Sequence, residues 1–358
     1  MTVAHLDVFA LRDVVLNDYK KFARSFTTIH AQDIRDQLEA IYDSAKFWPE
    51  PLIQINPSFK RSTNVDQLVA SGVLQPECAQ IFRTAPAPEG QALSLYKHQE
   101  QAIALAIQGE SYVVTTGTGS GKSLCFFIPM VNAIIADRRK GGAPRTRAIV
   151  IYPMNALANS QFEELSRFLS QVSGTPPVTF ARYTGQEDGD ERRRISENPP
   201  DILLTNFMML EYLMTRQDQV DRKVIGNCEG LSFLVLDELH TYRGRQGADV
   251  ALLVRRVRER LSPERLQCIG TSATMASEGS IIDKSRVVAR VASKLFSAEI
   301  PQSNVIVESL ERVTDAKRNA LSVRSALGPA IDAGIPTNIS DTDLRNHPLT
   351  IWVETSLG

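Results

Sequence analysis

The chain has 358 residues, of which 43% are hydrophobic and 23% charged; this composition excludes a disordered polymer and leaves room for a sizeable core and about two domains. A net charge of −1 neither demands nor excludes a nucleic-acid partner, because a basic groove can sit on a neutral molecule. Four cysteines, Cys78, Cys125, Cys228 and Cys268, stand far apart without a C-x-x-C pair, so no zinc or disulfide framework is signalled and reduced, mostly buried thiols are expected.

In chain order, residues 1–90 read as a mostly helical accessory region. Leu11, Val15, Tyr19 and Phe22 form one stripe at three- and four-residue spacing, and Ile34, Leu38, Ile41 and Tyr42 form another; both are expected to be packing faces. Proline-punctuated stretches, FWPEPLIQINPSF and RTAPAPEG, follow, and Gly90 marks the expected boundary. From residue 91 to 276 short runs rich in Val, Ile and Leu alternate with helical stretches: YVVTT, AIVIYP, VTFARY, DILLTN, LSFLVLDE and LQCIGTSAT. Near-continuously apolar strands separated by helices predict an α/β fold, a parallel sheet flanked by helices. Most runs end in Gly, Thr, Ser, Asn or Asp, which places the chemistry at the carboxyl edge, where open α/β sheets bind ligands. Residues 277–358 read as a mixed helical linker or the start of a next domain, with no second series of alternating strands. The longest apolar run, LCFFIPMVNAII, is broken by Pro129 and Asn132 and falls short of the roughly 20 residues a membrane helix needs. No secretory pattern precedes it, and a cytoplasmic protein is expected.

TTGTGSGKS follows the strand run YVVTT and opens a helix expected to begin near Gly121. Strand, glycine loop and helix in this order form a phosphate site. Gly117, Gly119 and Gly121 let the backbone of residues 116–123, including Thr116, Thr118 and Ser120, turn its N–H groups toward the phosphates of ATP, aided by the positive end of the helix. Lys122 adds a cation, and Ser123 offers a hydroxyl to Mg2+. Further along, FLVLDELH sets Asp237 and Glu238 directly after four apolar positions. There Asp237 can hold magnesium, and Glu238 can orient or deprotonate the attacking water. His240 is weaker, since an isolated histidine is more often structural than catalytic.

TTGTGSGKS, DELH and TSAT, in this order and spacing, resemble the first RecA-like domain of superfamily 2 DEAD/DEAH-box helicases. Thr116 stands where the general phosphate-loop pattern has its first glycine, a departure common in that superfamily. YPMNALANSQ and DELHTYRGRQGADVALLVRRV look most like the YprA-like and Lhr-like large DNA helicases. The resemblance covers roughly residues 92–276 and implies further roles. LYKHQEQAI looks like the adenine motif, with Gln99 as the base-reading amide and Tyr96 and His98 beside it. Asn155, Ala156 and Gln161 match a nucleic-acid-contacting segment, and Gly185 of YTGQ and Thr205 and Asn206 of TNFMML match others. Ser272 and Thr274 of TSAT are implied to couple hydrolysis to domain movement.

Small and amide groups at strand ends, such as Thr184, Gly185, Thr205 and Asn206, suit phosphate contacts that do not read bases. Two basic clusters, from Arg138 to Arg147 and around Arg193, invite a nucleic-acid reading, although charge runs are usually solvated surface. Tyr242 and Arg243 could steer a strand or simply pack at the next helix. No Gln-x-x-Gly-Arg-x-x-Arg pattern follows TSAT, so the second RecA-like domain and its arginine finger are expected to be missing from these residues. That finger is worth roughly a thousandfold or more in related phosphoryl transfer, so weak hydrolysis and no unwinding by this chain alone are expected. The resulting expectation is the amino-terminal motor half of an ATP-dependent DNA helicase or translocase, in DNA repair or phage defence, partnered by DNA and by the rest of the helicase. The alternative is a non-catalytic, ATP-switched scaffold that binds nucleic acid.

Overall fold

The computed structural model describes residues 7–26, 28–43, 58–261, 265–273 and 281–357. The chain divides into two units, one of Pro57–Ala316 and one combining Met1–Asn56 with Lys317–Gly358.

The larger unit is built on a seven-stranded sheet. Its strands are β3 (Tyr112–Thr115), β4 (Ala148–Tyr152), β5 (Phe180–Tyr183), β6 (Ile202–Asn206), β7 (Phe233–Leu236), β8 (Gln267–Ser272) and β9 (Val305–Val307). They lie in the order β5-β6-β4-β7-β8-β3-β9, and every pairing is parallel. Two shorter strands, β1 (Arg61–Asn64) and β2 (Ser94–Tyr96), form a separate antiparallel pair.

Why these runs become central strands follows from their burial on both faces. Every residue of β4 and β7 is buried. Alternate side chains serve opposite layers: Ala148, Val150 and Tyr152 pack with the helix Leu124–Arg138, whereas Ile149 and Ile151 pack with residues of the helix Gly244–Leu261. Each such aliphatic side chain, fully buried, contributes about 1.5–3 kcal/mol.

The helix Leu124–Arg138 runs under the sheet with Pro129 in its interior. A proline there cannot donate to the carbonyl four residues back, that of Cys125. The Tyr112 hydroxyl donates to Cys125 O instead, at 2.7 Å, so a residue of β3 satisfies the acceptor that the helix leaves open. The same helix starts at Leu124, three residues later than the sequence suggests, because Gly121 takes a left-handed backbone (φ 69°) and residues 122–123 form a turn.

Beyond residue 276, β9 closes the sheet against β3. Its continuation pairs with the segment before β1: Lys60 N donates to Ser309 O (2.7 Å), and Glu311 N donates to Ser58 O (2.7 Å). The four cysteines are buried free thiols, and burial pushes those of Cys78 and Cys228 up to about 12.

In the smaller unit the helices Val8–Ser25 and Gln32–Asp43 carry the two sequence stripes. Arg24 and Glu39 join them at 2.8 Å. The first stripe is less covered than a packing face requires, with Leu11 44%, Val15 56% and Phe22 58% exposed. Among the described residues no helix is long and apolar enough to cross a membrane.

Candidate nucleotide site and nucleic-acid edge

A parallel sheet delivers every strand's carboxyl end to one edge, and here the strand order sorts what arrives. The phosphate loop follows β3, the acidic pair follows β7, and Ser272 ends β8, so these neighbours form one half of the edge. Asn155 and Gly185 follow β4 and β5, Asn206 ends β6, and together they form the other half.

The loop is braced from several directions. Thr116 is buried, its N–H donates to Ser272 O (3.3 Å), and its hydroxyl shares a 2.6 Å hydrogen bond with that of Ser120. Lys122 Nζ folds back onto the carbonyls of Thr116 (3.1 Å) and Gly117 (3.4 Å). His98 Nε2 meets Ser120 O at 2.9 Å, and its buried Nδ1 has no partner. On the outer side, Gly117 N donates to Glu308 Oε2 at 2.9 Å, a contact from the residue just after β9 that the sequence did not signal.

Gln99 has both ends of its amide engaged. Oε1 accepts from Tyr96 N (2.9 Å), and Nε2 donates to Gly121 O (3.0 Å). It therefore ties the adenine-motif strand β2 to the phosphate loop, and reading a base would require Nε2 to release that carbonyl. The Tyr96 ring stacks on His98 at 5.6 Å, and Phe59, another residue sequence reasoning missed, lies 5.5 Å from Tyr96.

Asp237 and Glu238 turn sharply out of β7. Asp237 N still donates to Ile151 O (3.0 Å), but Glu238 adopts a left-handed backbone (φ 51°, ψ 56°) before the short turn Leu239–Thr241. Burial pushes the Asp237 carboxyl up to about 6; the Thr271 hydroxyl that donates to its Oδ1 opposes that rise, Glu238 adds to it, and Lys122 opposes it. The charge of Lys122 thus reaches Asp237 although the sequence separates them widely. His240 Nδ1 stands 3.2 Å from Glu238 Oε2 and 3.3 Å from Ser272 Oγ. The Ser272 hydroxyl donates to Ala273 O, and Glu238 Oε2 is buried without a hydrogen-bond partner, so its approach to His240 is one of proximity. Thr274 lies outside the described residues.

These groups fit Mg-ATP. A buried carboxylate that is costly to ionise alone is stabilised by a divalent cation, and it shares an edge with a lysine and a glycine loop. Ser123 and Asp237 are the residues that would hold the ion.

On the other half of the edge, Asn206 is a junction. Its Oδ1 caps the helix Phe207–Thr215 through Met209 N (2.7 Å), while Nδ2 donates to Asn155 Oδ1 (2.6 Å) and Thr184 O (3.1 Å). The helix Asn155–Leu169 has no side-chain cap, so its first N–H groups, including that of exposed Ala156, can take a phosphate. Gln161 lies in the same helix with a buried, unpartnered Oε1.

Two expected contacts serve a different purpose. Thr205 is fully buried and gives its hydroxyl to Tyr183 O (2.6 Å), so it braces β6 against β5. Gly185 is exposed at φ 88°, yet its N–H and that of Thr184 both donate to Glu187 Oε2, at 2.9 and 2.7 Å. Tyr242 is buried, which makes it a packing residue.

The basic clusters are largely spent inside the fold. Arg147 bonds Asp137 (2.7 Å) and Asp201 (2.9 Å), Arg139 bonds Glu77, and Arg193 and Arg194 pair along their own helix. Arg145 and Arg147 precede β4, at the opposite edge from the motifs. A cleft of about 780 Å³ opens at that opposite edge beside Phe233 and Gln267 and holds none of the motif residues.

Comparison with known proteins agrees with this geometry. The DEAD/DEAH box helicase family matches residues 96–280, just over half of the chain. Druantia protein DruE of Escherichia coli is 28% identical over 53% of this chain and 16% of its own length. The ATP-dependent helicase YprA of Bacillus subtilis is 34% identical over 51% of this chain and 23% of its own length. The crystal structure of the DUF1998 helicase MrfA bound to DNA superposes with a TM-score of 0.55 at 23% identity, covering 80% of this chain and 36% of that one. The chain thus spans a quarter or less of these two relatives. With the loop, the acidic turn and Ser272 gathered on one edge of a RecA-like sheet, the chain belongs to the DEAD/DEAH box helicase family.

Proposed function

We propose that this chain is the ATP-hydrolysing motor half of a helicase or translocase that acts on DNA. The observation that carries the reading is β8: it pairs with β3 on one side and β7 on the other, and so places the phosphate loop beside the acidic turn. Loop N–H groups and Lys122 bind the triphosphate, for which Lys122 must leave the carbonyls of Thr116 and Gly117. Bound magnesium supplies charge neutralisation on the phosphate oxygens. Glu238 positions the attacking water and accepts its proton, with His240 holding the carboxylate from behind. The uncapped helix at Asn155, with Asn206 beside it, grips the backbone of one strand without reading bases. DNA as the track is supported by MrfA, whose structure contains it. A place in repair or phage defence belongs to the same proposal, and unchanged plaque protection after deletion of the gene would remove the defence half.

Lys122→Ala should lower ATP hydrolysis by about a hundred- to a thousandfold, the scale of losing one preorganised charge-stabilising donor, while single-stranded DNA binding persists. A parent protein that binds DNA but hydrolyses no ATP, with or without Lys122, would establish the scaffold reading instead.

A further inference from the structure

Three consecutive residues of β8 hold the four residues of the acidic turn. Gly270 comes first: a Cβ there would lie 2.5 Å from Leu239 Cδ1, so the absent side chain is the space into which Leu239 fits. Ser272 stands third, beside His240. Between them is Thr271, which is completely buried. Its hydroxyl donates to Asp237 Oδ1 and accepts the N–H of Glu238 at 3.1 Å. That N–H belongs to a residue with a left-handed backbone, which removes it from the regular ladder of β7. One oxygen atom therefore fixes the carboxylate of Asp237 and the main chain of Glu238 together.

We propose that Thr271 is a positioning residue of the ATPase centre, whose single hydroxyl sets the metal-holding carboxylate and the water-orienting carboxylate in one fixed relation to β8. The inference rests on the ATPase reading. Its chemistry needs a group that donates and accepts at once from a strand position, and threonine and serine meet that need where valine, of the same shape, does not. The same strand receives the first loop N–H, that of Thr116, on Ser272 O, so a hydroxyl on β8 also registers the acids against the phosphate loop.

The test compares Thr271→Val with Thr271→Ser in the whole chain. Single-turnover hydrolysis of radiolabelled ATP gives the rate at saturation and the ATP concentration for half-saturation; electron paramagnetic resonance of Mn2+ with a non-hydrolysable ATP analogue gives metal binding without activity. We expect Thr271→Val to slow the saturated step at least tenfold, leave half-saturation within threefold, and weaken Mn2+ binding severalfold. Thr271→Ser should stay within threefold of the parent on all three. Equal rates and Mn2+ affinities for parent and Thr271→Val overturn the proposal, as does a serine variant no better than valine. If Thr271→Val does not fold, as judged by circular dichroism, Thr271→Ala assayed below its own melting temperature carries the same comparison. A parent with no Lys122-dependent hydrolysis refutes the ATPase reading, whereas intact parent activity with an indifferent Thr271 refutes this inference alone.

Discussion

Replacing Gly121 by alanine perturbs the phosphate loop by a single methyl group. Gly121 has φ 69°, and leaving a non-glycine residue in that left-handed region costs about 1–2 kcal/mol. The new Cβ would lie 2.7 Å from Gln99 Nε2, whose side chain must swing away and give up its 3.0 Å bond to Gly121 O, a net loss of about 1 kcal/mol. The total is about 2–3 kcal/mol, and the loop can express it in two ways. If the unliganded loop keeps its shape, the fold loses that energy, which for a unit of this size lowers the melting temperature by about 4–12 °C. If the loop relaxes and must be re-formed around the triphosphate, ATP affinity falls by about 30- to 150-fold. Fluorescent ATP-analogue titration and thermal denaturation of the same preparation measure both. A variant whose affinity changes less than threefold and whose melting temperature moves less than about 2 °C would refute the reasoning, because the strain would then have nowhere to appear.

Two further outcomes follow from other parts of the fold. Asp201 is buried and accepts from Arg147 (2.9 Å), Thr179 N (2.8 Å) and the Thr179 hydroxyl (2.9 Å). Asp201→Ala should cost about 3–5 kcal/mol by stranding a buried arginine, with the low end expected because Asp137 still reaches Arg147; Asp201→Asn should recover part of it, and denaturant melts that place both variants level with the parent would contradict this. Burial holds His98 below its ordinary 6.5, with the Ser120 carbonyl pulling the other way, so the stability gained from its neutral form is lost as pH falls through 6.5 and the unfolded chain takes up the proton first. Asp237, raised to about 6, acts in the opposite sense as pH falls from 6 toward 3.8, but it is common to parent and variant. His98→Gln should therefore flatten the decline in melting temperature from about pH 7 to 5 relative to the parent, and parallel curves would show that His98 contributes nothing.

Six strands of the sheet are legible in the sequence because their runs are mostly apolar until the strand ends, most completely in β4 and β7, where every position is buried. β1, with the sequence Arg-Ser-Thr-Asn, and the three-residue β2 and β9 carry no such signal; they are held by pairing with segments far away in the chain. The phosphate loop and the acidic pair are likewise legible, since a glycine cradle and carboxylates at a strand end have few other uses together. What the sequence conceals is the set of residues that hold those groups. Thr271 looks like any strand threonine until its hydroxyl is seen between two acids, and Glu187 looks like a surface charge until two loop N–H groups are found on it. The first basic run misleads for the same reason, because its acidic partners, Asp201 for Arg147 and Glu77 for Arg139, come from distant segments.

The parallel ladder also constrains how such a machine can move. From the strand bearing Asn206 to the strand bearing the phosphate loop there are four strand steps, about 19 Å, bridged without interruption by main-chain hydrogen bonds. In the proposed motor, fuel and track would therefore be mounted on one stiff plate with a spacing set by that ladder. On that proposal, any advance along a strand would be a displacement of this plate against a second body, with the turn at Asp237 and Glu238 midway between the two proposed grips.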